Sequence, residues 1–256
     1  MLSSLTSDGS ETTFDALRYG AVDFINKSSV RGEEGVSELA EDITEKLKNA
    51  VAIDVGVTSY IRPHSNNIPA EQQSDGDCQR LVALGAAEGG YRALMKTIPH
   101  LVPGNAAYLV VLYADEDHLD AFASYLDQHS QVKVKRAQND ESLQAGICYL
   151  SAGSDYMSVH RQDDDLVLHV SPAPFASRKG SVDRLLFSVA ETMGKDSVGV
   201  VMSGSGDDGS EGLEEMERTG GTVIVQEPKS CLTKDMSQAA LDACTPDFII
   251  SDVDLP

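Results

Sequence analysis

The chain has 256 residues, 41% of them hydrophobic, and sets 41 acidic against 20 basic side chains for a formal net charge of −21. That length accommodates one large α/β domain, or one such domain plus a fragment, with enough apolar residues for a sizeable core. A surface this negative repels phosphate backbones and anionic lipid, which excludes nucleic acid as a partner class, and no apolar run reaches the roughly 18 residues that membrane insertion needs.

Residues 1–50 read as strand, helix, strand, helix: an apolar strand end over 1–6, a helix over 11–19 stopped at Gly20, a strand over 22–25 and a helix over 36–50. The last places Val36, Leu39, Ala40, Ile43 and Leu47 on one face, with Asp42 and Lys46 paired one turn apart. Two strands and two helices cannot close a core alone, so this piece leans on the rest or is the tail of a larger domain. Residues 51–77 are polar, hold two prolines and lack apolar periodicity, which predicts a linker.

From Leu81 the pattern alternates strand and helix. A strand over 81–84 leads into a helix with Tyr91, Leu94, Met95 and Ile98 on its apolar face. A buried strand over 108–113 precedes a helix bearing Leu119, Phe122, Tyr125 and Leu126. Strands at 132–134 and 147–150 follow, then a hairpin of 157–159 with 166–170, a helix over 182–193 and a strand over 198–202. A helix over 212–218, a strand over 222–225, a helix over 236–243 and a strand over 248–250 complete the pattern. Alternating βα units with short connections predict a doubly wound, mostly parallel sheet covered on both faces.

Residues 1–6 are too short and uncharged for a signal peptide, and Cys78, Cys148, Cys231 and Cys244 show neither a CxxC pair nor histidines at metal spacing. The expectation is a cytoplasmic protein with reduced thiols, no metal and no cofactor.

Two glycine-rich strand exits stand out, 81–90 (LVALGAAEGG) and 198–209 (VGVVMSGSGDDG), because open α/β sheets build their sites at the carboxyl ends of strands. A nucleophilic hydrolase there needs an exposed Ser or Cys, a His within reach and a carboxylate to orient it. Asp208 suits the carboxylate role, or alternatively caps the helix starting near Ser210. The first turn presents Ala86, Ala87 and Glu88, none a nucleophile for acyl transfer, and the next strand exits at Tyr113, a poor general base with an ordinary pKa of about 10. His118, five residues on, reads as an exposed side chain outside the chemistry. Phosphate binding by residues 85–90 is weak: the turn is neither GxGxxG nor GxxxxGK[ST], and Glu88 repels phosphate.

These blocks, with 143–157 (LQAGICYLSAGSDYM), 181–190 (SVDRLLFSVA) and 226–231 (QEPKSC), resemble in order and spacing the chemotaxis protein-glutamate methylesterases, CheB, over residues 80–250. Residues 1–6 and 16–27 (ALRYGAVDFINK) are similar to the last part of the receiver domain that precedes the esterase in that family. The division implied is a partial, flavodoxin-like receiver over 1–50, a linker over 51–77 and a methylesterase domain over 78–256. By that resemblance Ser3 is the hydroxyl that senses the phosphoryl group, Phe24 the switch aromatic and Lys27 the phosphate-contacting lysine. The receiver's front, with its phospho-accepting Asp, has no counterpart here: either the sequence begins inside a receiver or this chain has lost phosphorylation control.

The resemblance implies hydrolysis of glutamyl methyl esters by a Ser–His–Asp set, in which Asp208 is retained, Ala87 stands at the Ser position and Tyr113 at the His position. Ser205 replaces a methionine beside the oxyanion, and Tyr156 a histidine; Gly85, Glu88, Gly89 and Gly90 complete the pocket. Loss of nucleophile and base removes most of the rate, because triad members act as a unit. The leading expectation is therefore a catalytically silent regulatory module on chemoreceptors or other signalling proteins, a histidine kinase among them. The alternative is an active esterase with a relocated nucleophile at Ser203 or Ser205 and His118 as base; a small-molecule sensor using the emptied pocket is a third reading.

Overall fold

In the computed structural model the described residues are 2–3, 10–26, 60–61, 78–114, 116–174 and 180–251, with isolated positions between 40 and 51. The N-terminal elements are β1 (Leu2–Ser3), α1 (Ser10–Arg18) and β2 (Ile25–Asn26). The main unit then runs β3 (Arg80–Ala86), α2 (Gly90–Thr97), β4 (Ala106–Leu112), α3 (Glu116–His129), β5 (Lys133–Arg136), β6 (Ile147–Ala152), β7 (Asp155–Gln162) and β8 (Asp165–Pro172). It closes with α4 (Ser181–Met193), β9 (Ser197–Val201), α5 (Ser210–Arg218), β10 (Thr222–Gln226), α6 (Asp235–Ala243) and β11 (Phe248–Ile250).

Seven strands form one sheet in the order β11-β10-β9-β3-β4-β6-β5, and every neighbouring pair is parallel. From β3 the chain winds outward through β4 to β6 and β5; from β9 it winds the other way through β10 to β11. The reversal lies between β3 and β9, and such a switch point opens a crevice at the carboxyl ends of its two strands. Both glycine-rich exits found in the sequence sit there. The β7–β8 hairpin is antiparallel and separate from this sheet.

Side chains alternate across the strands with the period of two that a sheet buried on both faces requires. Leu84, Val110 and Leu112 point to the layer of α2 and α3, whereas Leu81, Ala83, Leu109 and Val111 point to that of α4, α5 and the hairpin. On α4 the buried set is Val182, Leu185, Leu186, Val189 and Ala190, a helical stripe facing β3. Each such leucine or valine contributes about 1.5–3 kcal/mol of hydrophobic stabilisation. Gly85 lets this helix approach, because a Cβ there would collide with Val182.

The N-terminal piece packs on α2 and α3. Phe14 lies 5.2 Å from both the Phe122 and Tyr125 rings, and Phe24 5.3 Å from Tyr91 and 5.0 Å from His118. Arg18 bonds Asp15 at 2.8 Å and the Ile61 carbonyl at 3.3 Å, while the buried Arg92 of α2 donates to the Leu17 carbonyl. The strand predicted over 22–25 is shorter and later, Ile25–Asn26, because residues 21–24 form a loop that turns Phe24 into the aromatic cluster. Of the helix predicted over 36–50, only positions 40, 43–44, 47–48 and 50 are described, all helical; the remainder, and most of 51–77, lies outside the described residues.

Candidate functional site

The two exits are laced together by backbone. Ala87 N–H donates to the Ser203 carbonyl at 2.9 Å, and Met202 N–H to the Gly85 carbonyl at 2.9 Å. Gly89 starts α2 with φ of 83°, and a Cβ there would come within 2.6 Å of Ser203 Oγ, so the turn needs glycine twice over. Gly90 is equally confined, its Cβ position lying 2.7 Å from Leu112 Cδ1 and 2.8 Å from Ala86 Cβ. Ala87 follows β3 at the switch point and is 2% exposed, covered by Gly204, whose Cβ position lies 2.7 Å from Ala87 Cβ. The side chain of Ala87 therefore sits against the Gly204 backbone at the junction of the two exits.

Tyr113 leaves the next strand, its N–H held by the Ala86 carbonyl at 3.0 Å, and its ring lies across Gly153, where any Cβ would collide with it. The phenol donates to Asp208 Oδ2 at 2.6 Å and accepts N–H bonds from Gly180 at 2.9 Å and Ser181 at 3.2 Å. Asp208, 3% exposed, accepts from Val182 N–H at 3.0 Å and Asp183 N–H at 2.9 Å. The N-terminal amides of α4 at residues 180–183, which a helix leaves without internal partners, are therefore all satisfied by this pair of side chains. Asp208 caps α4, not the helix starting at Ser210 that the sequence offered as an alternative; α5 is preceded by Gly209, with φ of 95° and no side-chain cap.

Burial, then the hydrogen bond and negative charge of Asp208, push the Tyr113 phenol up to about 12. It stays protonated at neutral pH, with its lone pairs turned to two amides, and so acts as a cap and not as a base. Beside it, Asp183 accepts Gly212 N–H of α5 at 2.7 Å, so each of the two helices receives amide acceptors from an Asp associated with the other. Burial foremost, with the Asp208 charge added against the pull of the Gly212 amide, raises the Asp183 carboxyl to about 7.

Ser203 is 1% exposed and its hydroxyl is committed: it bonds the Glu88 carbonyl at 2.7 Å and accepts Thr233 N–H at 3.0 Å. Ser205 N–H donates to Glu88 Oε2 at 2.7 Å. His118 is not the exposed side chain expected but 3% exposed, set against Phe24 on the α3 layer. The Tyr156 hydroxyl borders α4, 3.7 Å from the Cβ position of Gly180. Ser3 lies on β1 in register with Asn26, Phe24 is buried as described, and Lys27 lies outside the described residues. Among the described residues no group of three or more His, Cys, Asp or Glu side chains is arranged to hold a metal ion.

Gly153, the amides of 180–181 and Asp183 were not anticipated from the sequence. The signals present were a third glycine at a strand exit, Ser151-Ala152-Gly153-Ser154, and an acidic residue in the first turn of α4.

The CheB methylesterase family profile matches residues 82–256. A protein-glutamate methylesterase/protein-glutamine glutaminase of Photorhabdus laumondii is 36% identical over 242 residues, covering 94% of this chain and 69% of the relative. One of Xanthomonas campestris pv. campestris is 34% identical over 250 residues with the same coverage. The crystal structure of the Thermotoga maritima CheB methylesterase catalytic domain superposes with a TM-score of 0.65 at 25% identity, covering 69% of this chain and 95% of that one. With the sheet order, the switch-point site and these matches in agreement, the chain belongs to the CheB methylesterase family.

Proposed function

We propose that this chain is a non-hydrolysing, regulatory member of its family that acts in chemotaxis or pilus-type signalling by binding chemoreceptors or their signalling partners, a histidine kinase complex among them. The observation that carries this reading is the conversion of the site's acid–base pair into a helix cap: Tyr113 and Asp208 are saturated by the α4 amides, and Ala87 supplies no oxygen. Ester hydrolysis at this site needs a nucleophile at 87 and a group at 113 that takes its proton and passes it to departing methanol. An alanine and a phenol held near 12 do neither.

A relocated nucleophile finds little support in the geometry. Ser203 Oγ is fixed between the Glu88 and Thr233 backbones, and His118 is packed against Phe24. The retained scaffold supports binding, since the relatives' names describe action on protein glutamate and glutamine side chains. Cosedimentation with receptor-containing membranes tests it: saturable binding without methanol release is expected. Methanol release at a rate proportional to protein concentration, or no binding to receptor or kinase complexes, overturns it.

A further inference from the structure

Resting on that reading, and going beyond the loss of Ser and His, we propose that Glu88 is a tethered stand-in for the reaction's glutamate product and occupies the amide that would otherwise meet a substrate oxygen. Three backbone amides around residue 87 are committed to structural partners. Ala87 N–H goes to the Ser203 carbonyl, Gly204 N–H to the Thr233 carbonyl and Ser203 N–H to Gln226 Oε1, each at 2.9 Å. Ser205 N–H differs: it stands in the turn just beyond Gly204, the residue that abuts Ala87, and its partner is the Glu88 carboxylate at 2.7 Å.

A nucleophile carried by residue 87 would generate an oxyanion beside this turn, and a preorganised amide facing that oxygen is worth roughly 10²–10³ in rate. In this chain a charge-assisted bond already fills the donor, and the filling group is a glutamyl carboxylate, the same functional group that ester hydrolysis yields. Its negative charge also disfavours a second developing anion at the same place. Glu88 is held by its own backbone, because its carbonyl accepts the Ser203 hydroxyl at 2.7 Å, which keeps the side chain at short range. Residue 88 is thus a determinant of what the site admits, a block additional to Ala87 and Tyr113.

Two experiments test this. Amide exchange at Ser205 is followed by NMR in the native chain and in Glu88→Ala, with thermal denaturation confirming that the variant folds. Exchange at least about tenfold faster in the variant is expected, and unchanged exchange overturns the proposal. Methanol release from methylated receptor membranes is then compared for Ala87→Ser/Tyr113→His, the same pair with Glu88→Gln, and the same pair with Glu88→Ala. The Glu88→Ala triple is expected to exceed the double by about 100-fold, with the Gln triple close to the double because its amide oxygen still accepts Ser205 N–H. A double as active as the Ala triple, or an Ala triple as silent as the double, overturns the role of Glu88. Release by the native chain instead overturns the non-hydrolysing reading, and that outcome is read independently in the same assay.

Discussion

Replacing Tyr113 by phenylalanine removes one oxygen and separates the capping role from every other property of the ring. The ring still lies over Gly153, but Gly180 and Ser181 N–H lose their acceptor and Asp208 loses its donor at 2.6 Å. A hydrogen bond to a charged group contributes about 1.5–3 kcal/mol, and each amide left dry costs about 1–3 kcal/mol. Because Tyr113 is only part-buried, water reaches some of the vacated position, and the low end of each range applies. The expected loss is about 2–4 kcal/mol, which for a domain of this size lowers Tm by about 5–15 °C. Urea and thermal denaturation of both proteins at pH 7 measure it. A Tyr113→Phe protein within about 0.5 kcal/mol of the native chain would refute the cap, since a surface-like hydroxyl costs no more than that.

Three further outcomes follow from the same geometry. With its folded-state value raised from 3.8 to about 7, Asp183 favours the fold fully only while protonated, so its contribution is lost as pH rises from about 4 through 7. At ~1.36 kcal/mol per pKa unit the difference is about 4 kcal/mol, reduced to roughly 2 by solvent screening at a part-exposed site. Asp183→Asn keeps an acceptor for Gly212 N–H and is expected to be more stable than the native chain by about 1–2 kcal/mol at pH 8 and to flatten the pH profile; an unchanged profile from pH 4 to 8 contradicts this. Gly153→Ala drives a methyl into the Tyr113 ring and is expected to cost at least about 1–3 kcal/mol, with Tyr113→Ala recovering part of it in a double-mutant cycle; independent, additive losses would show that the two residues do not touch. Phe24→Ala empties a buried aromatic position on the α2–α3 layer and should cost about 3–5 kcal/mol; a proteolysis pattern unchanged at residues 10–26 argues against docking of that piece.

The fold was legible because its signals are periodic. Leu81, Ala83 and Leu84 at β spacing, and Leu119, Phe122 and Leu126 at helical spacing, define elements whose burial in the structure follows the pattern. The meeting of the two glycine-rich exits was legible as well, since glycines at two strand exits mark close backbone approach, and Gly89 and Gly204 prove to be hemmed in by Ser203 and Ala87. What the chain does with Asp208 was not legible. Capping partners 25 and 26 residues upstream leave no local signature, and the local rule pointed to the helix immediately downstream. The Glu88–Ser205 contact spans 117 residues and was invisible for the same reason: periodicity reports which face an element buries, not which loop meets which. His118 failed in the opposite sense, because a polar residue at a helix start reads as exposed until an aromatic from another segment, Phe24, covers it.

The central claim is that this site no longer performs ester hydrolysis, and methanol release by the native chain tests it most directly. With protein in stoichiometric excess over methylated receptor in membranes, a single turnover suffices for detection. The account predicts methanol indistinguishable from a protein-free control at pH 7, where Tyr113 is protonated and Ala87 is inert. Release that rises with protein concentration and saturates at the number of methyl esters present would contradict it.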